Sequence, residues 1–432
     1  MKKIFLTATL LLSVSFFAQT TVEAFLSAKL GNKKRDITVK LPKSYEANPE
    51  RYYPMIMVMD SEYLFPLFEA NLTYGKSWDD MPDVILIGIG QNKNNERYDD
   101  CEFDANTGLP SAKGGAFFEF IGSELIPHLE KKYRISSFRG IAGVDTTAGF
   151  INTFLYKDSP LFNSFISISP ELATGMEQRV AQRLGSLKSP VYYYQATSDG
   201  DLKQFQTKIK TLDEKIKEVK KDSTLNYKFD NFKGIAHYGI APNAVPSALY
   251  HLFAVYQPIS QLEYQEKIAP LKEGHVDYLN KKYETIEKVL GAKIKIRYTD
   301  LLAIESAIKK NESWYEYEQL AQISGGPDYE KTMLYDYHMG MYWEKRNEPK
   351  KAMKFYQNSF MKKEIGDITK DFMMAKAEDL KKFMPKKDKL KGGQAKGQTQ
   401  ETIEETPATD TPPTDNPPAD NNGDKPKEEP KN

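Results

Sequence analysis

The stretch RGIAGVDTTAGFINTFLY, residues 139–156, decides the fold. FRGIAG, at residues 138–143, is apolar and ends in glycine, which is typical of a buried strand. AGFINTFLY, which follows, is typical of the start of an apolar helix. A sharp turn from strand to helix often presents a nucleophile in the pattern Gly-x-Ser-x-Gly. Here Asp145 stands where that pattern has serine, and Thr147 stands where it has the second glycine.

Strand and helix signals alternate on both sides of this turn. Buried strands are indicated by apolar runs, and an amphipathic helix by apolar residues at helical spacing in GGAFFEFIGSELIPHLEKKY. The strand segments are KRDITVKLP, YPMIMVMD, MPDVILIGIG, FRGIAG, FNSFISISP, SPVYYYQAT and NYKFDNF. The alternation predicts an α/β domain over residues 20–258, with a mostly parallel sheet covered on both faces.

Residues 259–384 have a helical pattern without a convincing buried strand. Part of this region has aromatic and small residues at the spacing of a helix–turn–helix repeat of about 34 residues. The residues in question are Tyr337, Gly340, Tyr342, Ala352, Tyr356 and Phe360. One such unit resembles a tetratricopeptide repeat, whereas an array needs three. A plain helical cap on the main domain is the alternative.

The two ends of the chain have special compositions. Residues 1–19 combine two lysines, a short apolar run and a small residue, which predicts a signal peptide. We therefore expect an exported protein, periplasmic or secreted, that is soluble and has no transmembrane span after cleavage. Residues 385–432 mix proline, lysine and acids with few apolar residues, which predicts disorder.

The composition excludes several functions. Lysine plus arginine and aspartate plus glutamate number 60 each, so the chain lacks the basic excess typical of nucleic-acid binding. Cys101 is the only cysteine, which rules out an intramolecular disulfide. The chain has no HExxH motif or paired histidine spacing and no phosphate-binding loop, so we expect neither a metal nor a cofactor.

Seven stretches resemble the Putative esterase family of α/β-hydrolases, which contains enterochelin esterases and S-formylglutathione hydrolases. The resemblance runs from about Arg35 to Tyr256. The stretches are RDITVKLPKSY, YYPMIMVMDSEYLF, MPDVILIGIGQNKNNERYDD, GGAFFEFIGSELIPHLEKKYRI, FRGIAG, LFNSFISISPEL and FKGIAHYGIAPNAVPSALYHLF. Their order and spacing fit the family, which implies an α/β-hydrolase fold.

The resemblance also implies a triad of serine, histidine and acid. The histidine position corresponds to His237, in the loop before the closing helix. The acid position corresponds to Asp199 or Asp201 in ATSDGDL, of which Asp199 is preferred. Oxyanion donors would be backbone N–H groups around Ser61 and at Thr146. Arg97 matches an arginine that the family often carries.

The aspartate at position 145 leaves three hypotheses. Asp145 could be the nucleophile, as in the haloalkane dehalogenases and epoxide hydrolases of the wider fold, but the tryptophan that often follows it there is Thr146 here. In the second hypothesis, Thr146 or Thr147 is the nucleophile instead of Asp145. In the third hypothesis, which the changes at both Asp145 and Thr147 favour, the fold remains while esterase chemistry is lost. The protein is then a pseudo-esterase that binds an envelope protein partner or a small ligand.

Overall fold

The computed structural model describes residues 20–219 and 224–382. The predicted signal peptide and the predicted disordered tail lie outside these residues. All of the described residues belong to one compact unit that ends at Met384.

The centre of the molecule is one eight-stranded sheet in the order β1-β2-β4-β3-β5-β6-β7-β8. Its first two strands are antiparallel to their neighbours, and the remaining strands pair in parallel. The strands are β1 (Thr20–Ser27), β2 (Lys33–Lys40), β3 (Tyr53–Val58), β4 (Ile85–Ile89), β5 (Ile135–Val144), β6 (Ser164–Ile168), β7 (Val191–Gly200) and β8 (Leu225–Ala236). The predicted mostly parallel sheet is confirmed.

Helices connect the parallel strands and cover both faces of the sheet. Up to residue 258 they are α1 (Ser61–Ser77), α2 (Glu96–Asp100), α3 (Ala112–Glu119), α4 (Ile126–Lys132), α5 (Thr146–Ile151), α6 (Met176–Ser186), α7 (Lys203–Glu218) and α8 (Ile240–Leu252). Every residue of β3, β4 and β6 is buried, which explains their continuous apolar sequences.

The region after residue 258 is helical, as predicted. Its helices are α9 (Gln261–Glu263), α10 (His275–Leu290), α11 (Tyr298–Asn311), α12 (Glu316–Ser324), α13 (Leu334–Lys345), α14 (Pro349–Asn358) and α15 (Lys370–Lys381). Gly340 lies so close to Tyr356 that an added Cβ would meet its ring at 2.1 Å. Two residues of the repeat-like pattern therefore bring α13 and α14 together, while the tetratricopeptide likeness stays a prediction.

The helical region shares a hydrophobic core with the sheet. One core contains Ile56 and Phe138 from the strands together with Leu279 and Ile286 from α10, all fully buried. The hydroxyl of Ser136 on β5 also donates a hydrogen bond to a carbonyl at the end of α10. The elements on either side of the boundary expected at residue 258 therefore pack as one structure.

An ion pair joins the two regions at the surface of this core. Arg297, which is 8 % exposed, lies with its Nε 2.5 Å from Asp79 Oδ2 just after α1. The guanidinium also covers the ring of Tyr256, at 4.2 Å from the ring centre. The hydroxyl of Tyr256 donates to the same carboxylate of Asp79 at 3.0 Å. This cluster fixes α11 against the end of α1.

We expect a chain that ends after Pro258 to lose cooperative unfolding, because the truncation exposes the sheet face that α10 covers. Thermal unfolding followed by circular dichroism, together with binding of an apolar dye, measures this. The matched control ends at Met384, the limit of the compact unit, and should keep a single transition. A sharp transition in the shorter chain would contradict the shared core.

Candidate active site

The turn between β5 and α5 holds Asp145 in a strained backbone conformation, with φ 63° and ψ −122°. Aspartate is one of the few residues other than glycine enriched at positive φ. The turn is tight because β5 runs directly into the helix, and a Cβ at Gly143 would lie 2.7 Å from the carbonyl carbon of Thr147. The chain therefore keeps the backbone of a nucleophile turn and places a carboxylate at its tip.

His237 lies beside Asp145 because of the pairing between the last two strands. Gly200 at the end of β7 pairs with Ala236 at the end of β8, so the next residues, Asp201 and His237, emerge side by side. His237 Nδ1 is 2.7 Å from Asp201 Oδ1, and its Nε2 is 3.6 Å from Asp145 Oδ2. Three of the predicted site residues therefore meet in one line of contacts.

Asp201, rather than Asp199, is the carboxylate that holds the imidazole. The side chain of Asp201 is fully buried and accepts hydrogen bonds from Ser169 Oγ at 2.8 Å, Thr197 Oγ1 at 2.6 Å and the backbone N–H of Leu202 at 2.8 Å. The preference for Asp199 is thus wrong. The β7 strand is irregular between Ser198 and Gly200, and this sends the Asp199 side chain away from the histidine.

Asp199 has a separate structural role. It is exposed, and its Oδ1 accepts a hydrogen bond from the backbone N–H of Gly234 at 2.7 Å. This bond supports the turn-like end of β8, where Gly234 has a φ of 68°.

The guanidinium of Arg97 also contacts Asp145. Arg97, at the start of α2, places its Nη2 3.8 Å from Asp145 Oδ2 and its Nε 3.0 Å from Asp60 Oδ1. The same Nη2 donates to the carbonyl oxygen of Val144 at 2.8 Å. Asp145 is therefore held between a guanidinium and an imidazole, and Arg97 fixes the end of β5.

Both threonines of the turn are engaged in other hydrogen bonds. Thr146 Oγ1 donates to Glu171 Oε2 at 2.9 Å. Thr147 is fully buried, with its Oγ1 2.7 Å from Asp60 Oδ2 and 3.0 Å from the backbone nitrogen of Val144. The hydroxyl of Thr147, at the position of the second glycine of the pattern, thus provides a partner for a buried carboxylate. Within residues 20–219 and 224–382, the imidazole of His237 is hydrogen-bonded to Asp201 and Ser169 and to neither threonine.

Burial raises the pKa of both central carboxylates. The pKa of Asp145 is raised by burial, while Arg97 and His237 oppose the shift. The pKa of Asp60, whose side chain is fully buried, is also raised by burial, against the charge of Arg97 and the hydroxyl of Thr147. Each of the two carboxyl groups therefore binds a proton more tightly than an exposed aspartate does.

The predicted oxyanion donors lie at the starts of two helices. Ser61 begins α1 directly after Asp60, and Thr146 begins α5 directly after Asp145. Backbone N–H groups in the first turn of a helix have no acceptor within that helix. Their role as oxyanion donors stays a prediction.

Sequence reasoning missed two residues of the site. Ser169 directly follows β6 with a φ of 47° and donates to Asp201, and Asp60 lies two residues after the end of β3 with a φ of 50° and contacts Arg97 and Thr147. Both follow buried strands that end at the same edge of the sheet, which is where ligand sites form in parallel sheets. Their position after buried strands is the feature of the sequence from which both residues could have been identified.

Comparison with known protein families agrees with this geometry. Residues 27–237 match the family described as Putative esterase. The matched range ends at the histidine of the site. A comparison with curated proteins gives no match.

Two solved structures are similar over most of the chain. A crystal structure of an uncharacterised protein from Capnocytophaga ochracea is 27% identical with a TM-score of 0.76, covering 84% of this chain and 100% of that one. This share exceeds what residues up to 258 could supply, so the likeness includes helical-region residues. The IroE-like serine hydrolase from Shewanella oneidensis is 16% identical with a TM-score of 0.54, covering 71% of this chain and 98% of that one, and shares the fold.

We expect Asp201→Asn to lower the free energy of unfolding by about 2–3 kcal/mol, because a buried carboxylate loses its charge within a network of four donors. Asp199→Asn is the matched control and should cost less than about 1 kcal/mol, since Asp199 is exposed. Urea unfolding measures both. Equal losses in the two variants would contradict the assignment of Asp201.

A buried ion pair behind the site gives a pH-dependent prediction. Asp100 accepts from Arg35 at 2.8 Å and from Gln91 at 2.9 Å, and Gln91 in turn contacts the backbone N–H of Asp60. Burial raises the pKa of Asp100 from 3.8 to about 6 against the charge of Arg35. The folded protein therefore keeps a proton that the unfolded chain releases, and Asp100 lowers stability as the pH rises from about 4 to about 6.

The contribution of Asp100 over this interval is about 3 kcal/mol, from a shift of about two pKa units. Asp100→Asn should remove it, so the change in unfolding free energy between pH 4 and pH 6 should differ from the wild type by about this amount. Any effect of the substitution that does not depend on pH, such as altered packing of the side chain, cancels in the comparison. Identical pH slopes would show that Asp100 ionises normally.

Proposed function

We propose that this chain is an exported pseudo-esterase that acts as a binding or scaffold protein in the cell envelope. The observation that carries the proposal is the carboxylate of Asp145 at the nucleophile turn, held between Arg97 and His237. A carboxylate that attacks an ester forms a tetrahedral intermediate, which expels the carboxylate far faster than an alkoxide, because the reference pKa of aspartic acid is only about 3.9. The turn therefore does not favour ester hydrolysis.

The hydroxyls of the turn support the same conclusion. Thr146 is bonded to Glu171 and Thr147 to Asp60. An activated nucleophile needs a hydrogen bond to its general base. These hydroxyls instead donate to carboxylates and not to His237. The proposal of a threonine nucleophile thus has little geometric support.

The surface around the turn supports a binding role. Exposed apolar side chains directly follow three of the site residues: Tyr98 after Arg97, Leu202 after Asp201, and Tyr238 after His237. Tyr238 is 90 % exposed and its ring centre lies 4.9 Å from that of His237. Tyrosine is enriched at protein interfaces, so this rim favours a protein partner over a small ligand alone.

A second candidate is a hydrolase that uses Asp145 as nucleophile. It is favoured by the retained contact between His237 and Asp201, because an imidazole oriented by a buried carboxylate is the arrangement of a general base. Such an enzyme would act at a carbon centre with a good leaving group or at an ester-like bond. The same variants test both candidates.

We expect the mature wild-type protein to hydrolyse p-nitrophenyl butyrate no faster than the Asp145→Ala variant. Asp145→Ser should raise turnover at least about tenfold, because it places a hydroxyl opposite His237 Nε2 and removes the charge of the carboxylate. The double change Asp145→Ser with His237→Ala should return to background. Wild-type turnover that Asp145→Ala abolishes would show an aspartate-dependent hydrolase instead.

The proposed binding role is tested separately, by capture of a partner protein. Affinity capture from an envelope fraction should retain one partner in a stoichiometric amount, and Tyr238→Ala should weaken that retention. Absence of a stoichiometric partner would contradict the scaffold role, whatever the esterase assay shows.

A further inference from the structure

A cavity of about 420 Å³ lies far from Asp145, between the segment after β2, the end of α1 and the start of β4. Leu72 on its wall is 11 residues after Ser61, or about 16 Å along the helix. Because α1 starts next to Asp60 and runs back along the sheet, the cavity opens at the edge opposite the candidate active site. Its apolar lining comprises Leu41, Pro42, Leu72, Pro82, Val84 and Leu86.

Three lysines border this apolar cavity. Lys40 is paired with Glu69 at 2.6 Å. Lys76 reaches carboxylates only at longer distances, 3.5 Å to Asp83 and 3.8 Å to Asp79. Within the described residues Lys43 has no ion pair. The cavity therefore combines an apolar floor with two ammonium groups, those of Lys43 and Lys76, that are weakly neutralised.

A second cavity of about 390 Å³ adjoins the first and shares Lys76 with it. Arg51, Lys295 and Arg297 also line it, together with Asp79. The two cavities together are lined by six cationic side chains and three carboxylates. Since the whole chain has equal numbers of each sign, this excess of positive charge is local.

Arg51 has an unused donor at this junction. Its Nε is buried and has no hydrogen-bond partner. Its Nη1 lies 3.4 Å from Asp83 Oδ2, the same oxygen that Lys76 approaches. The Arg51 side chain as a whole is 26 % exposed and lines the second cavity, so its guanidinium can face an anion there.

We propose that these joined cavities bind an amphipathic anion, an acyl chain with a carboxylate or phosphate head. The chain lies on Leu72, Val84 and Leu86, and the head lies between Lys76 and Arg51. The cavity volume falls within the usual range for small-ligand sites, and apolar walls with a few placed charges are their usual chemistry. The site is independent of the pseudo-esterase proposal, because it contains none of the residues around Asp145.

Isothermal titration of the mature protein with decanoate, below its micelle concentration, tests the site. We expect a Kd of about 10–100 µM, from the ligand efficiency usual for a molecule of this size. Decyl phosphate distinguishes a phosphate head from a carboxylate head. Decanol keeps the alkyl chain without the charge, and acetate keeps the carboxylate without the chain. Both halves should bind at least about tenfold more weakly than decanoate.

Two variants locate the binding. Lys76→Met keeps the length of the side chain and removes its charge, so it should weaken decanoate about tenfold and leave decanol unchanged. Val84→Thr puts a hydroxyl on the floor and should weaken both. Lys188→Met, which alters a lysine at a separate cavity, is the control and should change neither. No binding of either anion, equal affinity for decanol, or no effect of Lys76→Met would each overturn the proposal.

Discussion

The close contact between β5 and α5 is the constraint on which the candidate site depends. Gly143 lets the first turn of the helix lie against the strand, since any side chain there would collide with the backbone of Thr147. The contact forces residue 145 to positive φ and turns its side chain toward the edge where β6, β7 and β8 end. Whatever residue occupies position 145 is therefore presented to His237.

The rest of the site balances the charge that this position now carries. A serine would be neutral, whereas Asp145 is a partly buried carboxylate with Asp60 and Asp201 nearby. Arg97 contacts Asp145 and Asp60, and His237 contacts Asp145 and Asp201. Three carboxylates and two cationic or titratable groups thus form one polar cluster. The paired charges in such a cluster hold its side chains in one geometry. Asp145 is then engaged by Arg97 and His237 and is not free to attack a substrate.

The amino-acid sequence predicts much of this arrangement and misses parts of it for physical reasons. Alternating apolar segments identify the strands, and the positions of Asp145 and His237 follow from the family resemblance. The choice between Asp199 and Asp201 depends on an irregularity in β7 after Ser198, which no residue pattern in ATSDGDL reveals. Likewise, the apolar stripe of α10 shows that a face is buried but does not show that the sheet covers it.

The contact between Asp79 and Arg297 has a consequence for synthesis of the chain. The two residues are 218 positions apart, so Arg297 leaves the ribosome well after Asp79. At about 5–20 residues per second, this delay is about 10–40 s. During that time one face of the sheet lacks the helices that complete its core, and apolar residues such as Phe138 remain uncovered. The nascent protein thus passes through an interval in which its uncovered apolar surface favours aggregation.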